Sequence, residues 1–159
     1  MLNEDLTLSI KKLQDSSPTD FRLWYNDWVL KQDKDLKVLD IGKSRYWDYS
    51  IFKDYTTIDS NQEVSPDILG NAEDYPFEDY DLVLLNGMYE CCDVAKVLKN
   101  LQGKAREVIC GFVTESYKPY KKEWQSFNGD MTIFKDWDIE EVIDFKDYIY
   151  ILLTNKKSL

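Results

Sequence analysis

Lys37-Val38-Leu39-Asp40-Ile41-Gly42 decides the reading of this chain, and Tyr55-Thr56-Thr57-Ile58-Asp59 repeats its form a short way on. Each is a β-branched or aliphatic run that ends in an acid where a strand would stop. In an open α/β sheet, ligands bind outside the carboxyl ends of the strands, so polar chemistry collects there. Gly42 lets the backbone turn sharply and approach a ligand closely. Asp59 has the position and charge to accept hydrogen bonds from two ribose hydroxyls. The pair reads as half of a nucleoside pocket.

A third segment extends the pattern. Asp67-Ile68-Leu69-Gly70-Asn71-Ala72-Glu73-Asp74-Tyr75-Pro76-Phe77 leads through Glu78-Asp79-Tyr80 into the apolar run Asp81-Leu82-Val83-Leu84-Leu85-Asn86. In this order and spacing the segments resemble the class I, Rossmann-like S-adenosylmethionine-dependent methyltransferases. The likeness covers roughly 36–111 and extends to the C-terminal hairpin. It implies S-adenosylmethionine as cofactor and a site built from Asp40, Gly42, Lys43 and Ser44 at the first turn. Asp59 and Ser60 would hold the ribose, Asn71, Ala72 and Glu73 would line the adenine, and Asn86 and Gly87 would line the pocket.

The chain departs from the family pattern at definite places. Gly42 is followed by Lys43-Ser44-Arg45-Tyr46-Trp47 rather than by further glycines, and Asn71 stands where the family often has Asp. Without a tight glycine loop nothing cradles a pyrophosphate on a helix N-terminus, which disfavours a dinucleotide. S-adenosylmethionine has no phosphate and makes no such demand. Asn86-Gly87-Met88-Tyr89 resembles the Asn-Pro-Pro-Tyr motif of amino-methylating enzymes but lacks both prolines, so Asn86 and Gly87 read as pocket lining. Glu90 falls where the family often places a Glu-His pair, with Cys91 in place of the histidine.

Composition bounds the chemistry. The 159 residues suit one compact unit, here expected as a helical N-terminal cap over 1–35 and an α/β core over 36–159. The formal net charge of −10 disfavours a nucleic-acid partner. No run is long and apolar enough to span a membrane, and the N-terminus lacks the apolar core of a secretory signal. There is no histidine, so the usual zinc patterns cannot be assembled and no metal site is expected. Cys91, Cys92 and Cys110 read as buried structural thiols, and a reducing cytoplasm is the simplest compartment.

Around the core, Leu6, Ile10 and Leu13 mark one helix, and Ser17-Pro18-Thr19-Asp20 reads as the start of a second. The latter bears Phe21, Trp24, Tyr25, Trp28 and Val29 on one stripe, to pack on the sheet or to form part of a lid. The crossover 43–54 has room for about two helical turns with Ile51 and Phe52 facing inward. The stretch 59–67 has little room for helix. Asp93 caps a helix that carries Val94, Val97, Leu98 and Leu101 and stops at Gln102-Gly103. Glu107 to Val113 is the fifth strand. Ile139–Phe145 and Tyr148–Leu153, joined at Lys146-Asp147, form an antiparallel pair, as in the sixth and seventh strands of the resembled fold. The expected architecture is a Rossmann-like three-layer sandwich, its sheet mainly parallel with an antiparallel C-terminal strand.

Methyl transfer is an in-line displacement that rests largely on alignment. A base is optional and cannot be histidine; Tyr89, Glu90 and Glu115 are the candidates, with Asp48 and Tyr117 behind them. The loop patch of Tyr117, Lys118, Tyr120, Lys121, Lys122 and Trp124 is either a solvated surface or a contact for an anionic or sugar acceptor. The expected function is methyl transfer to a small-molecule or sugar-like acceptor. The alternatives are a catalytically silent binding subunit of the same fold and an unrelated nucleoside-binding enzyme.

Overall fold

The computed structural model describes residues 20–43, 48–87, 92–116 and 129–156. The expectations for the first helix, for Ser17 and Pro18, for Ser44, Tyr89 and Glu90, for Cys91 and for the 117–124 patch lie outside them.

Seven strands form one sheet: β1 Lys37–Ile41, β2 Asp54–Asp59, β3 Ile68–Leu69, β4 Tyr80–Asn86, β5 Ala105–Val113, β6 Trp137–Asp144 and β7 Tyr148–Asn155, in the order β3-β2-β1-β4-β5-β7-β6. β1 lies between β2 and β4, parallel to both, with Leu39 level with Thr56 and Val83. β7 runs antiparallel to β5 and to β6, so it is the one strand reversed against the rest. Its reversal follows from the three-residue joint Phe145-Lys146-Asp147, which is too short for a crossover. Lys146 takes a left-handed conformation there (φ 73°), the part a glycine usually plays, and its N–H bonds to Asp144.

Among the described residues one α-helix lies on each face. α1, Asp20–Leu30, places Phe21, Tyr25 and Val29 against Val38, Leu82, Leu84, Ile109 and Tyr150. Tyr25 stacks on Tyr150 at 5.4 Å between ring centroids and is fully buried. The aromatic stripe therefore packs the helix on the sheet. α2, Val94–Leu101, is capped by the Asp93 carboxylate on the Ala95 and Lys96 N–H groups. Its Val94, Val97, Leu98 and Leu101 close the opposite face over Leu39, Val83, Val108 and Ile151. Alternation along β1 thus gives Leu39 and Ile41 to the α2 side, and Val38 and Asp40 to the α1 side.

Three details differ from expectation. Residues 48–53 of the first crossover are turn rather than helix, although Phe52 is buried and Ile51 packs beside it as expected. The stretch after Asp59 contains a single 3-10 turn, Gln62–Val64. Ile68–Leu69 adds a two-residue strand at the sheet edge, fixed because the Asp67 carboxylate accepts from the Thr57 N–H and hydroxyl.

Candidate functional site

The chain leaves β1 toward β2 on one side and reaches β4 on the other, so the junction of β1 and β4 is the switch point of the sheet. A crevice opens there, outside the carboxyl ends of the strands. In the observed register Asp40 is level with Leu84. Continued two residues, it sets Gly42 level with Asn86 across the junction. Gly42 has φ 83° and Gly87 φ 74°, so both strands turn away immediately where a ligand would approach.

Asp59 is held from both sides. One carboxylate oxygen accepts from the Lys43 N–H at 3.0 Å and the other from the Asn61 N–H at 2.9 Å. The Asp59 carbonyl accepts from the Gly70 N–H, and the Ile58 carbonyl from the Gly42 N–H at 2.8 Å. The acid is therefore fixed in rotamer by the first turn and the loop after β2. A carboxylate offers about four lone-pair sites, so two remain for a diol. Beside it lies a recess of about 40 Å³ lined by Ile41, Ile58, Asp59, Ser60, Gly70, Asn71, Ala72 and Cys92. Its Ala72 wall is tied to α2, because the Asn100 carboxamide donates to the Ala72 and Tyr75 carbonyls at 3.0 and 2.8 Å.

Of the residues expected here, Asp59, Ser60, Asn71 and Ala72 come together around the recess. Gly42 and Lys43 join them through Asp59, and the Lys43 ammonium reaches the Ser65 carbonyl at 2.8 Å. Glu73 donates its N–H to the Asn71 side chain and lies 4.0 Å from the Lys96 ammonium, half-buried on the recess flank. Asn86 and Gly87 sit at the end of β4, where the Asn86 Oδ1 accepts from the Tyr148 hydroxyl at 2.6 Å. Glu115 is exposed just beyond β5.

Asp40 is set apart. It is 7% exposed on the α1 side of β1, outside the recess, and accepts a 2.5 Å hydrogen bond from the Tyr55 hydroxyl. Burial pushes its carboxyl up to about 7 against the lowering effect of Tyr55, and the Asp48 charge adds to the rise. Burial likewise drives the Tyr55, Tyr25 and Tyr49 phenols well above the usual tyrosine range, with the Asp40 charge contributing to each.

Sequence reasoning did not select Ile41, Ile58, Gly70 or Cys92. The first two are apolar strand residues whose neighbours decide their role. Cys110 is fully buried as expected, but Cys92 is only half-buried and lines the recess. A larger hollow of about 290 Å³ lies between α2 and the 3-10 helix Met131–Phe134, beside Trp137 at the amino end of β6 and not at the carboxyl ends of the strands. Among the described residues no group of three or more acids and cysteines is placed to hold a metal.

The nucleoside end of S-adenosylmethionine fits these residues. Asp59 presents oriented acceptors, and Ile41, Ile58 and Ala72 offer an apolar wall beside it. The recess alone is small against ligand pockets of ~300–1,000 Å³, so a whole cofactor would extend along the crevice toward Gly42 and Asn86.

No family model matches the sequence, and no curated protein does. Solved structures do match. The methyltransferase domain of bacterial CtHen1-C is 12% identical with a TM-score of 0.61, over 86% of this chain and 97% of that one. The Pnkp1/Rnl/Hen1 RNA repair complex matches at 12% identity and TM-score 0.60, over 86% of this chain and 42% of that one. The pyocyanin biosynthetic protein PhzM is 10% identical with a TM-score of 0.57, over 80% of this chain; the chain spans about half (52%) of its length. These likenesses show the fold, that of the class I S-adenosylmethionine-dependent methyltransferases.

Proposed function

We propose that the chain binds S-adenosylmethionine across the β1–β4 crevice and transfers its methyl group to a small-molecule or sugar-like acceptor. The observation that carries this reading is Asp59. It is the acid at the end of the second strand, clamped by backbone N–H groups from two loops and left with free lone pairs beside an apolar recess. In this reading Asp59 and Ser60 take the ribose, and Asn71, Ala72 and Glu73 flank the base. Gly42 and Lys43 form the turn under the cofactor, Ser44 is assigned to the cofactor with them, and Asn86 and Gly87 face the crevice from β4. When bound, the sulfonium supplies an electrophilic methyl carbon; the chain's task is to align the acceptor with it and exclude water. Tyr89, Glu90 and Glu115 are the groups proposed to take a proton where the acceptor carries one.

Hen1 is part of an RNA repair complex, whereas PhzM is a pyocyanin biosynthetic protein. The net charge of −10 favours a small acceptor over a phosphate backbone. Among the described residues no helix is long and apolar enough to cross a membrane, and three cysteines without a disulfide framework suit a reducing cytoplasm.

Calorimetric titration with S-adenosylmethionine tests the reading. Asp59→Ala removes up to two charge-assisted hydrogen bonds, ~1.5–3 kcal/mol each when well formed. Affinity should fall at least ~10-fold, and because the Lys43 and Asn61 N–H groups also lose their acceptor the melting temperature should fall modestly while the variant stays folded at the titration temperature. Equal affinity in the two proteins would refute the site.

One observation favours a second reading, a catalytically silent subunit of this fold. Lys43 stands in place of a further glycine, and its ammonium is taken up by the Ser65 carbonyl at 2.8 Å. A protein that copurifies with a stable partner and binds no S-adenosylmethionine would decide for it.

A further inference from the structure

Asn100 is half-buried on α2 and does not line the recess, yet it is bonded to the wall on which a base would rest. One atom makes both contacts. Its Nδ2 donates to the Ala72 carbonyl at 3.0 Å and to the Tyr75 carbonyl at 2.8 Å. Two carbonyl oxygens beside one side-chain atom require two N–H groups on that atom. A carboxamide meets the demand, whereas an ionised aspartate brings only acceptors and a serine a single hydrogen.

The two carbonyls stand at either end of one tight turn. Inside it the Asn71 carbonyl accepts from the Asp74 and Tyr75 N–H groups at 3.2 and 2.9 Å, and the Asn71 Oδ1 accepts from the Glu73 N–H. The Tyr75 ring lies over Gly70, where a Cβ would stand 3.1 Å from it. Gly70, Asn71 and Ala72 therefore form one wall of the recess, tied at its start by the Gly70 N–H on the Asp59 carbonyl. The turn's own bonds give it a shape, and Asn100 fixes where that shape sits. A second contact from α2, Lys96 to Glu73, is 4.0 Å long with the ammonium exposed, and such a pair holds little. The facing wall, Ile41, Ile58 and Asp59, belongs to β1 and β2 and needs no tie to α2.

We propose that Asn100 is a positioning residue for the base-binding half of the recess, acting through Ala72 and Tyr75; this rests on the methyl-transfer reading above. The nucleoside is gripped in two separate halves. Asp59, oriented by the Lys43 and Asn61 N–H groups, takes the ribose, and the turn that α2 holds in place takes the base. Without Asn100 the turn keeps its internal bonds but swings about Gly70. It then meets the base for only part of the time, and affinity falls by that fraction.

The experiment compares S-adenosylhomocysteine with S-ribosylhomocysteine, which has the same ribose and homocysteine but no base. Both are titrated into the 15N-labelled full chain and followed at the Lys43 and Asn61 amides, which report on Asp59 for either ligand. The variants are Asn100→Ala and Asn100→Leu; leucine fills the volume of the carboxamide and keeps water from bridging the two carbonyls. In each, affinity for S-adenosylhomocysteine should fall about 10-fold, in line with the loss of two neutral hydrogen bonds. Affinity for S-ribosylhomocysteine should be unchanged. A residue that merely supports the fold would weaken both ligands alike. That result overturns the proposal, as does unchanged affinity for S-adenosylhomocysteine, or silence of S-ribosylhomocysteine in the unmodified protein. Failure of the unmodified protein to bind either ligand overturns the methyl-transfer reading instead.

Discussion

Replacing Asp40 by asparagine should remove the loss of stability that its buried carboxyl causes between mild acid and mild alkali. The carboxyl is buried on the α1 side of β1, and its pKa is raised to about 7 by burial. In the unfolded chain an aspartate titrates near ~3.9, so the shift is about three units, ~4 kcal/mol as an upper bound. The folded state therefore binds this proton more tightly than the unfolded state. The contribution to stability is complete below the unfolded value and is lost as pH rises through about 7. Between about pH 5 and about pH 8 the linkage covers about two units, ~3 kcal/mol. Asparagine cannot ionise, and its carbonyl can still accept from the Tyr55 hydroxyl. The variant also carries an offset from its unsatisfied amide, but that offset is the same at both pH values. The assay is urea unfolding of both proteins at the two pH values, with the variant cancelling every other titrating group. The difference in unfolding free energy should shift by ~1–3 kcal/mol in the variant's favour at the higher pH. A difference that does not change with pH would show that Asp40 ionises as freely in the fold as out of it, refuting the argument.

Three further outcomes are expected. Gly111→Ala should cost at least ~1–3 kcal/mol in chemical denaturation, because the new Cβ would overlap Asn86 and Tyr148; a neutral result would mean the Asn86 side chain lies elsewhere. Asp93→Ala, which removes the cap of α2, should lower stability by ~0.5–2 kcal/mol, with Asp93→Ser restoring most of it in the same assay. Asp67→Ala should release β3 from β2, seen as faster hydrogen exchange at the Thr57 amide while the amides of β5 stay protected.

The strands that build the crevice were legible because each is a run of β-branched or aliphatic residues between polar turns. The reversal of β7 followed from the shortness of the joint before it. β3 was not legible: two residues make no pattern, and its pairing depends on Asp67 reaching Thr57 across the loop. The first crossover contained apolar residues at inward positions, which Phe52 occupies from a turn just as it would from a helix. At the site, Asp59 could be placed from its strand end alone. Asp40 has the same local signature but a different surrounding. It shares the face of Val38, and only the packing of α1, Tyr49 and Tyr55 on that face decides that it is enclosed. Asn86 could be placed at a strand end, but its partner Tyr148 is distant in sequence and meets it only because β7 turns back beside β5.

The packing of phenols under α1 also limits the chain in strong alkali. Tyr25, Tyr49 and Tyr55 keep their protons in the fold well beyond the pH at which an exposed tyrosine loses its own, chiefly because burial disfavours the phenolate. Their stabilisation is intact below the unfolded value of ~10 and drains away as pH climbs past it. The native protein should therefore show only part of the phenolate absorbance that its eleven tyrosines can yield. The remainder should arrive in one cooperative step, when the helix lifts from the sheet and these side chains meet hydroxide together. An alkaline ultraviolet titration would then serve as an unfolding curve that needs no added label.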